Sequence, residues 1–327
     1  MPTIQPFPFG VFVVEAAFLG ETAAFALGDG TVRLANGVAA ETVTVHSGAI
    51  LSAARTLDGK GLVTGGDDGR VALTDARGKI EPIGEMPRKW VDQVAAGPSG
   101  VTAYAAGRQA VVLLADGRTR TLDHPRAVAG LAFAPKGLRL AVARYDGVTL
   151  WWAGTEAAPV MLDWKGAHIA VTISPDGRFV VTAMQENALH GWRIEDGRDM
   201  RMSGYPAKSR SLSWSAKGRY LATSGANAAI VWPFLTKDGP MGRPPLERGA
   251  REPMVTRVAC HPREDMVAIG YADGMVVAAR LGDGAEALFR RPGDGPVSAL
   301  AWNDAGSRLA FGTEEGAAGI VETGNGE

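Results

Sequence analysis

The chain has 327 residues, of which 46% are hydrophobic and 21% are charged, a balance typical of a well-packed protein and not of a disordered one. The formal net charge of −1 provides no electrostatic footprint for nucleic acid or an anionic membrane. We therefore expect neither a nucleic-acid partner nor a membrane partner. The 43 glycines and 19 prolines are dispersed along the chain and indicate many tight turns.

The cysteine count and the N-terminal segment bear on the compartment. The single cysteine, Cys260, excludes an intramolecular disulfide framework and fits a reducing compartment. The N-terminal segment is apolar, but no Lys or Arg precedes its apolar run, and Glu15 and Glu21 interrupt it. Neither a signal peptide nor a membrane-spanning helix fits this pattern, so we expect a cytoplasmic protein.

A pattern of three short strands recurs along the chain, with a glycine turn after the first strand and an acidic or glycine turn after the second. The stretch from His46 to Asp75, HSGAILSAARTLDGKGLVTGGDDGRVALTD, shows the whole pattern. Its apolar residues alternate by two, as in strands, and do not follow the three-to-four spacing of helices. The first-turn positions are, in chain order, Gly20, Gly59, Gly100, Gly137, Gly177, Gly218, Asp265 and Gly306.

These eight positions lie 37 to 47 residues apart, which is the period of β-propeller blades. We therefore predict an all-β fold, a β-propeller of four-stranded antiparallel blades, with eight blades as the preferred count and seven as the alternative. Unit three, which contains GPSG and no acidic turn, is the weakest copy. We predict one domain over residues 1–327, with repeat units at about 11–45, 46–86, 87–123, 124–163, 164–204, 205–250, 251–293 and 294–322.

The last repeat unit needs a strand from elsewhere in the chain. Unit eight supplies three strands and ends near Val321, which leaves one strand edge unpaired. The segment Thr3 to Gly10 precedes unit one and belongs to no unit. We predict that residues 3–10 form the outermost strand of the last blade, since the prolines of this segment fit only an edge strand.

The units resemble WD repeats, whose pattern is a Gly-His pair, a strand, a Ser-Pro-Asp-Gly-like turn, a second strand, an Asp turn and a third strand ending in Trp-Asp. The stretch SPDGRFVVTAMQENALHGW, Ser174 to Trp192, follows this pattern from its turn to its Trp. The copy beginning at His46 also follows it, except that Thr74 stands where Trp is expected. The chain thus resembles a degenerate member of the WD-repeat β-propeller family, of the bacterial, cytoplasmic type.

The resemblance implies a hydrogen-bonded set in each blade: a His before the first strand, a Ser or Thr in the second strand, the turn Asp and the third-strand Trp. The corresponding residues are His46, Thr64 and Asp68 in unit two; His124, Val142, Asp146 and Trp151 in unit four; Trp164, Thr182, Glu186 and Trp192 in unit five; Tyr205, Thr223, Asn227 and Trp232 in unit six; and the turn acids Asp29 and Asp273 in units one and seven. No unit has all four expected residue types, so we expect apolar packing to stabilise the blades more than this network does.

The motifs of common enzyme classes are absent from the sequence: no phosphate loop, metalloprotease motif or serine-hydrolase motif occurs. The Asp-Gly turns occur one to a unit, whereas a calcium site needs six or more oxygens in one place. Cys260 and His261 are adjacent, but they would ligate a metal only with further ligands from elsewhere. The five histidines are spread over the units at His46, His124, His168, His190 and His261. We therefore predict no catalytic residue, no cofactor and no metal.

Aromatic and Arg residues in the loops are the candidate partner contacts, because these residue types dominate binding hot spots. The loop EMPRKWVD places Arg88, Lys89 and Trp90 together at the entrance to unit three. The second-to-third-strand turns open onto the same face as the loops that enter the first strands. The other candidates are Arg144, Tyr145, Trp164, Tyr205 and Tyr271. For each of them, packing between neighbouring blades is the open alternative.

These observations lead to a function hypothesis with one competitor. The insertion from Leu235 to Met254 is rich in Pro, Gly and Arg and is either a solvated spacer or a functional loop. We predict a non-catalytic, monomeric scaffold that binds a protein of unknown identity through loop-bearing faces, which is the function that the family resemblance implies. The competing hypothesis is a propeller enzyme, or a binder of a small molecule or metal, that uses the central channel.

Overall fold

The computed structural model describes residues 2–323, and the regular structure in this range is almost entirely β-strand. The one exception is a three-residue 3-10 turn at Pro98–Gly100, in the GPSG segment of unit three. The predicted all-β class is confirmed. Among residues 2–323, no helix has the length and apolar character needed to cross a membrane.

The strands group into two compact units, one formed by the described residues up to Thr42 together with those from Tyr205 onward, the other by Val43–Gly204. The first unit contains four four-stranded sheets. They consist of β2 (Val13–Leu19), β3 (Thr22–Leu27), β4 (Thr31–Ala35) and β5 (Ala40–Thr44), with the unit boundary inside β5; β20 (Leu212–Trp214), β21 (Tyr220–Thr223), β22 (Ala229–Pro233) and β23 (Leu246–Arg248); β24 (Val255–Cys260), β25 (Met266–Tyr271), β26 (Val276–Arg280) and β27 (Glu286–Arg290); and β28 (Val297–Trp302), β29 (Arg308–Thr313), β30 (Ala317–Glu322) and β1 (Thr3–Pro8).

The second unit contains two four-stranded sheets and one six-stranded sheet. They consist of β6 (Ile50–Arg55), β7 (Gly61–Gly66), β8 (Arg70–Asp75) and β9 (Ile80–Glu85); β10 (Gln93–Ala96), β11 (Thr102–Ala106), β12 (Gln109–Leu113) and β13 (Thr119–Asp123); and β14 (Val128–Phe133), β15 (Arg139–Trp152), β16 (Val160–Ile173), β17 (Phe179–Met184), β18 (Leu189–Arg193) and β19 (Asp199–Met202). Every recorded strand pairing in this unit is antiparallel.

The six-stranded sheet combines repeat units four and five. Its strands β15 and β16 have 14 residues each, and both reverse direction at a left-handed glycine, Gly147 and Gly166, where φ is +132°. The Ala153 N–H donates to the Leu138 carbonyl over 2.9 Å, so the residues that flank β15 pair with each other. Tyr145 of unit four also pairs with Ala167 of unit five, and this pairing joins the two units.

The described residues therefore form seven sheets, and the prediction of eight separate blades is corrected to seven, the alternative count. The physical reason is local. The sequence repeat continues unbroken through units four and five, but the backbone of their two reversing strands pairs across the boundary between them. A period counted from turn residues does not detect such a pairing.

The N-terminal strand completes the sheet of the last repeat unit, which agrees with the prediction for residues 3–10. Strand β1 runs antiparallel to β30, from Thr3 opposite Glu322 to Pro8 opposite Ala317. It is the edge strand of that sheet. A proline has no backbone N–H, and at an edge its nitrogen can face away from the sheet, where no hydrogen bond is needed. The chain leaves β1 with the Phe9 N–H donating to the Gly316 carbonyl over 2.9 Å.

The first-turn glycines have a conformational reason to be there. At seven of the eight first-turn positions the residue is a glycine with φ between +61° and +78°, a region that a side chain disfavours. The eighth position, Asp265, is not among the residues with positive φ. The turn geometry thus produces the period that is visible in the sequence.

Phe7 attaches the N-terminal strand to the core. Its side chain is 5% exposed and lies in an apolar cluster with Phe18, Phe25 and Ile320. The Phe7 ring centroid is 5.9 Å from that of Phe9 and 6.2 Å from that of Phe25. Aromatic side chains contribute the largest apolar areas in such clusters.

We expect Phe7→Ala to lower the free energy of unfolding by about 3 kcal/mol or more, because it removes a buried ring and leaves a cavity. Thr3→Ala is the control, since Thr3 lies exposed on the same strand and should change stability by less than about 0.5 kcal/mol. Chemical denaturation followed by circular dichroism measures both. Equal effects of the two substitutions would contradict the anchoring role of Phe7.

Candidate functional site

Unit two contains a continuous hydrogen-bonded set at its second turn. His46 Nδ1 lies 3.0 Å from Asp68 Oδ1, and His46 Nε2 lies 2.9 Å from Thr64 Oγ1. The Ser47 N–H donates to Asp68 Oδ2 over 3.1 Å. Burial acts to raise the pKa of Asp68, but the hydrogen bonds from the Arg70 N–H, the His46 ring and the Ser47 N–H lower it overall. The three residues at the implied network positions in this unit are thus in contact.

Unit six builds the same kind of set around a tyrosine. The Tyr205 hydroxyl lies 2.6 Å from Thr223 Oγ1, and Trp232 Nε1 donates to the Tyr205 oxygen over 2.6 Å. The Thr223 hydroxyl donates to the Ile230 carbonyl over 3.0 Å. Asn227 contributes its backbone instead, since its main-chain carbonyl accepts from the Arg251 N–H over 2.9 Å. Tyr205 is 8% exposed, so it is a network residue and not the partner contact that the sequence suggested.

In unit five the histidine of the set is His168, which corrects the assignment of that position to Trp164. His168 Nδ1 lies 2.7 Å from Thr182 Oγ1, and His168 Nε2 lies 2.9 Å from the Trp164 carbonyl. The Trp192 ring lies 5.7 Å from the His168 ring, tilted against it. The Glu186 carboxylate accepts from the Ala167 N–H over 3.1 Å.

In unit four the residues at the network positions do not form one set. His124 Nδ1 lies 3.4 Å from Thr149 Oγ1, whereas Asp146 accepts from the Gly166 N–H in the next unit over 3.2 Å. Trp151 is buried in an apolar cluster that also contains Val142. The set expected from the resemblance is corrected here, because Val142 has no hydroxyl to join it and, among the described residues, His124 Nε2 has no hydrogen-bond partner.

The turn acids of units one and seven are used within their own turns. Asp29 accepts from the Thr31 N–H over 3.0 Å and from the Thr31 hydroxyl over 2.6 Å. Asp273 accepts from the Met275 N–H over 3.0 Å. Both carboxylates therefore stabilise turn backbone, which is the usual role of Asp at such positions.

We expect Tyr205→Phe to lower the free energy of unfolding by about 1–3 kcal/mol, because the buried Trp232 N–H loses its acceptor. Tyr145→Phe is the matched control, since Tyr145 is 43% exposed and the same hydroxyl is lost to solvent. Thermal and urea denaturation of the two variants measure the difference. A Tyr205→Phe variant as stable as the control would show that the set contributes nothing.

The Trp90 surface is the feature of the second unit that best fits recognition of a partner. We define it as the wall of a cavity of about 670 Å³. Trp90 is 69% exposed, and Arg88, Lys89 and Arg108 are also exposed. The residues that line the cavity are Arg88, Lys89, Trp90, Asp92, Ala106, Gly107, Arg108, Gln109 and Asp123.

Backbone hydrogen bonds attach the Trp90 loop to the second turn of unit two. The Met86 N–H donates to the Gly69 carbonyl over 2.7 Å, and the Val91 N–H donates to the Gly66 carbonyl over 3.0 Å. A Cβ at Gly69 would lie 2.6 Å from the Met86 carbonyl oxygen, so only glycine permits this approach. The same turn carries Asp68, which contacts His46. The hydrogen-bonded set of unit two therefore positions the loop that presents Trp90.

The charges on the Trp90 surface are unbalanced. Within residues 2–323, none of Arg88, Lys89 and Arg108 is recorded in an ion pair. Asp123 accepts from Gln109 Nε2 over 3.1 Å. Burial raises the pKa of Asp92, the other carboxyl at the surface. Three cations and two carboxylates thus share one surface without neutralising each other directly.

Several residues predicted as partner contacts are buried, which corrects those assignments. Arg144 is 4% exposed and donates to Asp163 over 2.9 Å, to Thr149 over 3.3 Å and to the Tyr145 carbonyl over 3.0 Å. Tyr271 has no exposed surface, and its hydroxyl donates to the Gly249 carbonyl. Both side chains bond to backbone carbonyls inside the protein. Their role is therefore structural packing, which was the alternative to partner binding.

Two further predicted contacts, Trp164 and Tyr145, lie on β16 and β15, which pair with each other. Trp164 is half-buried, with its ring stacked 3.9 Å from the His190 ring. Tyr145 is exposed at the reversal of β15. Arg88, Lys89 and Trp90 line one cavity, as their place in one loop predicted. Sequence reasoning missed Arg108, although it lies in the second-to-third-strand turn of unit three, on the face where such turns were expected to open.

The side chains of Cys260 and His261 are hydrogen-bonded to neighbouring backbone groups. The Cys260 thiol donates to the Ser213 carbonyl over 3.3 Å, and burial raises its pKa to about 12. His261 Nε2 lies 3.0 Å from the Gly306 carbonyl, and its Nδ1 accepts from the Glu264 N–H over 2.9 Å. Across the described range, no three or more His, Cys, Asp and Glu side chains are grouped in a way that would hold a metal ion.

The insertion at Leu235–Met254 is partly structured. Its residues Leu246–Arg248 form β23, the outer strand of the sheet that also contains β20, β21 and β22. The Arg248 guanidinium donates to the Arg280 and Leu281 carbonyls, and Arg251 pairs with Glu286 over 2.6 Å. Arg243 is exposed. This half of the insertion therefore packs against the neighbouring sheet and is not a solvated spacer.

His190 is a buried titratable group whose ring, within residues 2–323, forms no hydrogen bond. It has no exposed surface, and neither ring nitrogen has a hydrogen-bond partner among the described residues. Burial lowers the pKa of His190 to about 4; Asp199, whose Oδ2 lies 3.4 Å from Nε2, opposes the shift, whereas His168 and Arg201 add to it. The folded protein therefore disfavours the protonated ring.

We expect the free energy of unfolding to fall between pH 6.5 and pH 4, because the unfolded chain binds the His190 proton in this range and the folded chain does not. The loss from this one group amounts to at most about 3 kcal/mol. Denaturation at a series of pH values should give a smaller slope for His190→Phe, which keeps the stacking on Trp164. An unchanged slope would contradict the assignment.

Part of the chain matches a known family model, and its fold matches a solved structure. A model described as the Anaphase-promoting complex subunit 4 WD40 domain matches residues 258–327, which cover most of repeat units seven and eight. Among solved structures, the crystal structure of the computationally designed Ika8 protein superposes with a TM-score of 0.78, covering 96% of each chain at 17% identity. At this identity the likeness concerns the fold alone.

Three curated proteins illustrate the sequence similarity. Telomerase protein component 1 of Rattus norvegicus is 27% identical over 203 residues, which are 59% of this chain and 7% of that protein. WD repeat-containing protein 55 of Pongo abelii is 25% identical over 214 residues, 61% of this chain and 54% of that protein. Protein HIR1 of Yarrowia lipolytica is 25% identical over 206 residues, 58% of this chain and 18% of that protein.

The matched region is thus between 7% and 54% of the length of these relatives. The family model and the WD-repeat relatives confirm the predicted resemblance to WD-repeat proteins. The superposition and the strand pairing agree with a β-propeller of four-stranded antiparallel blades. The bacterial type has no support, since the relatives named here come from eukaryotes.

Proposed function

We propose that this WD-repeat protein is a non-catalytic scaffold that binds a partner protein at the Trp90 surface. One observation carries the proposal: Trp90 is 69% exposed on a loop that backbone hydrogen bonds hold against the turn of unit two. An exposed Trp of this kind has no role in the core. Trp, Tyr and Arg are the side chains that most often dominate binding energy at protein interfaces.

The loop geometry supports binding by a preformed surface. Arg88 has a left-handed backbone with φ of +61°, a costly conformation for a residue with a side chain, and the bonds at Met86 and Val91 hold the loop around it. A surface that is already ordered loses little conformational entropy when a partner binds. Little of the free energy of the contacts is therefore lost to ordering the loop.

The relatives support an interaction role in general terms. One is named as a component of telomerase, and the matching family model is named for a subunit of the anaphase-promoting complex. Because this chain corresponds to 7% of the telomerase component, neither its partner nor its pathway transfers to this chain. The proposal extends to a monomeric protein in the cytoplasm without nucleic-acid or membrane partners.

The test is affinity purification from the native cell with three baits: the unchanged chain, Trp90→Ala and Val38→Ala. Val38 is 94% exposed in the other compact unit and is the control for loss of a surface side chain. We expect one protein to be recovered with the unchanged bait and with Val38→Ala, and its affinity for Trp90→Ala to be about 30-fold weaker.

Two results would overturn the proposal. Recovery of the same partner in equal amount with Trp90→Ala would remove the Trp90 surface from the interaction. A small molecule that co-purifies at one copy per chain, with no protein partner, would instead favour the enzyme or small-molecule binder.

A further inference from the structure

The chemistry of the Trp90 surface indicates the kind of partner, an inference that rests on the proposed function and specifies it. Arg88 and Lys89 line the cavity from the loop that enters unit three, and Arg108 lines it from the turn between β11 and β12. All three side chains are exposed. Cations without ion-pair partners at an exposed cavity attract acidic side chains, and Arg binds carboxylates in a bidentate manner.

The same cavity offers apolar contact and hydrogen-bond acceptors. The exposed Trp90 ring provides the apolar area on which a large side chain of a partner packs. Asp92 and Asp123 provide carboxylate oxygens that accept backbone N–H groups. A segment that combines acidic side chains with one apolar anchor satisfies all of these groups at once.

A nucleic acid fits the surface less well than an acidic protein segment does. A phosphate backbone is uniformly charged and needs a continuous track of cations, whereas here Asp92 and Asp123 line the cavity among the three cations. The whole chain has a net charge of −1, so the cationic character is confined to a small area. The acidic side chains of a peptide can be spaced so that none lies against Asp92 or Asp123. The phosphates of a nucleic acid follow one another at every nucleotide, so some of them would be repelled.

We propose that the Trp90 surface binds an acidic linear segment of a partner protein, with an apolar side chain of the segment on Trp90 and its carboxylates paired with Arg88, Lys89 and Arg108. The cations attract the segment to the surface and favour a negatively charged segment over a positive one. The contact with Trp90 supplies much of the affinity. Added salt weakens the interaction, because the ion pairs lie at an exposed surface.

The test uses the full chain and fluorescence anisotropy with three labelled probes: a dodecapeptide of alternating Asp and Glu residues around a central Phe, the same peptide with every acid replaced by Lys, and a single-stranded oligothymidine of equal length. We expect the acidic peptide to bind most tightly and to weaken as sodium chloride is raised. The Lys peptide and the oligothymidine should bind at least tenfold more weakly.

Charge reversal provides matched variants. Arg108→Glu should weaken binding of the acidic peptide at least tenfold, and Trp90→Ala should do so as well. Arg243→Glu is the control, since Arg243 is exposed in the other compact unit and the charge change is the same. The double variant Arg88→Glu, Arg108→Glu should prefer the Lys peptide, which shows recognition by charge and not a loss of folding.

Binding of the acidic peptide that is insensitive to Arg108→Glu would overturn this inference, and tighter binding of the oligothymidine would replace the peptide by a nucleic acid. The proposed function fails separately. If the partner from the native cell needs Trp90 but binds Arg108→Glu with unchanged affinity, the scaffold stands and the acidic segment is wrong.

Discussion

The structure depends on the close approach between the second turn of a repeat unit and a connection that joins two other strands. A Cβ at Gly274 would lie 1.8 Å from the Gly293 carbonyl oxygen, and one at Gly316 would lie 2.1 Å from the Val11 N. Gly69 meets the Met86 carbonyl in the same way. All three glycines have positive φ. The turn conformation and the lack of space for a Cβ therefore both require glycine at these positions. The connections between strands are therefore positioned by backbone contact, and the loop that carries Trp90 is one of them.

The threonine of the hydrogen-bonded sets explains why these sets tolerate changes elsewhere. A hydroxyl donates one hydrogen bond and accepts two, so one threonine serves both a side chain and a neighbouring carbonyl. Thr182 donates to the His190 carbonyl and contacts His168, and Thr223 donates to the Ile230 carbonyl and contacts Tyr205. The threonine hydroxyl makes the same kind of hydrogen bonds whether the partner ring is His or Tyr. The set of unit two forms without a tryptophan for the same reason.

Residues whose role is fixed by the local backbone were predictable from sequence, and residues whose role depends on a neighbouring unit were not. The turn glycines and the N-terminal strand follow from local conformation and from an unpaired strand edge. His168 was missed because it lies fourteen residues before Thr182, whereas His46 lies eighteen before Thr64. Arg144 read as an exposed loop residue, but its guanidinium reaches Asp163 on the adjoining strand. The joining of units four and five likewise depends on pairing that no single repeat encodes.

The charge of the Trp90 surface shows where a sum over the chain misleads. A net charge of −1 speaks against a strongly anionic partner only if charges are mixed evenly over the surface. Here Arg88 and Lys89 are neighbours in one loop, and the turn that carries Arg108 lines the same cavity. Screening limits their field to about 10 Å, so acids elsewhere on the chain do not cancel it. A molecule in this cavity would therefore meet a local cationic surface, whatever the average over the chain.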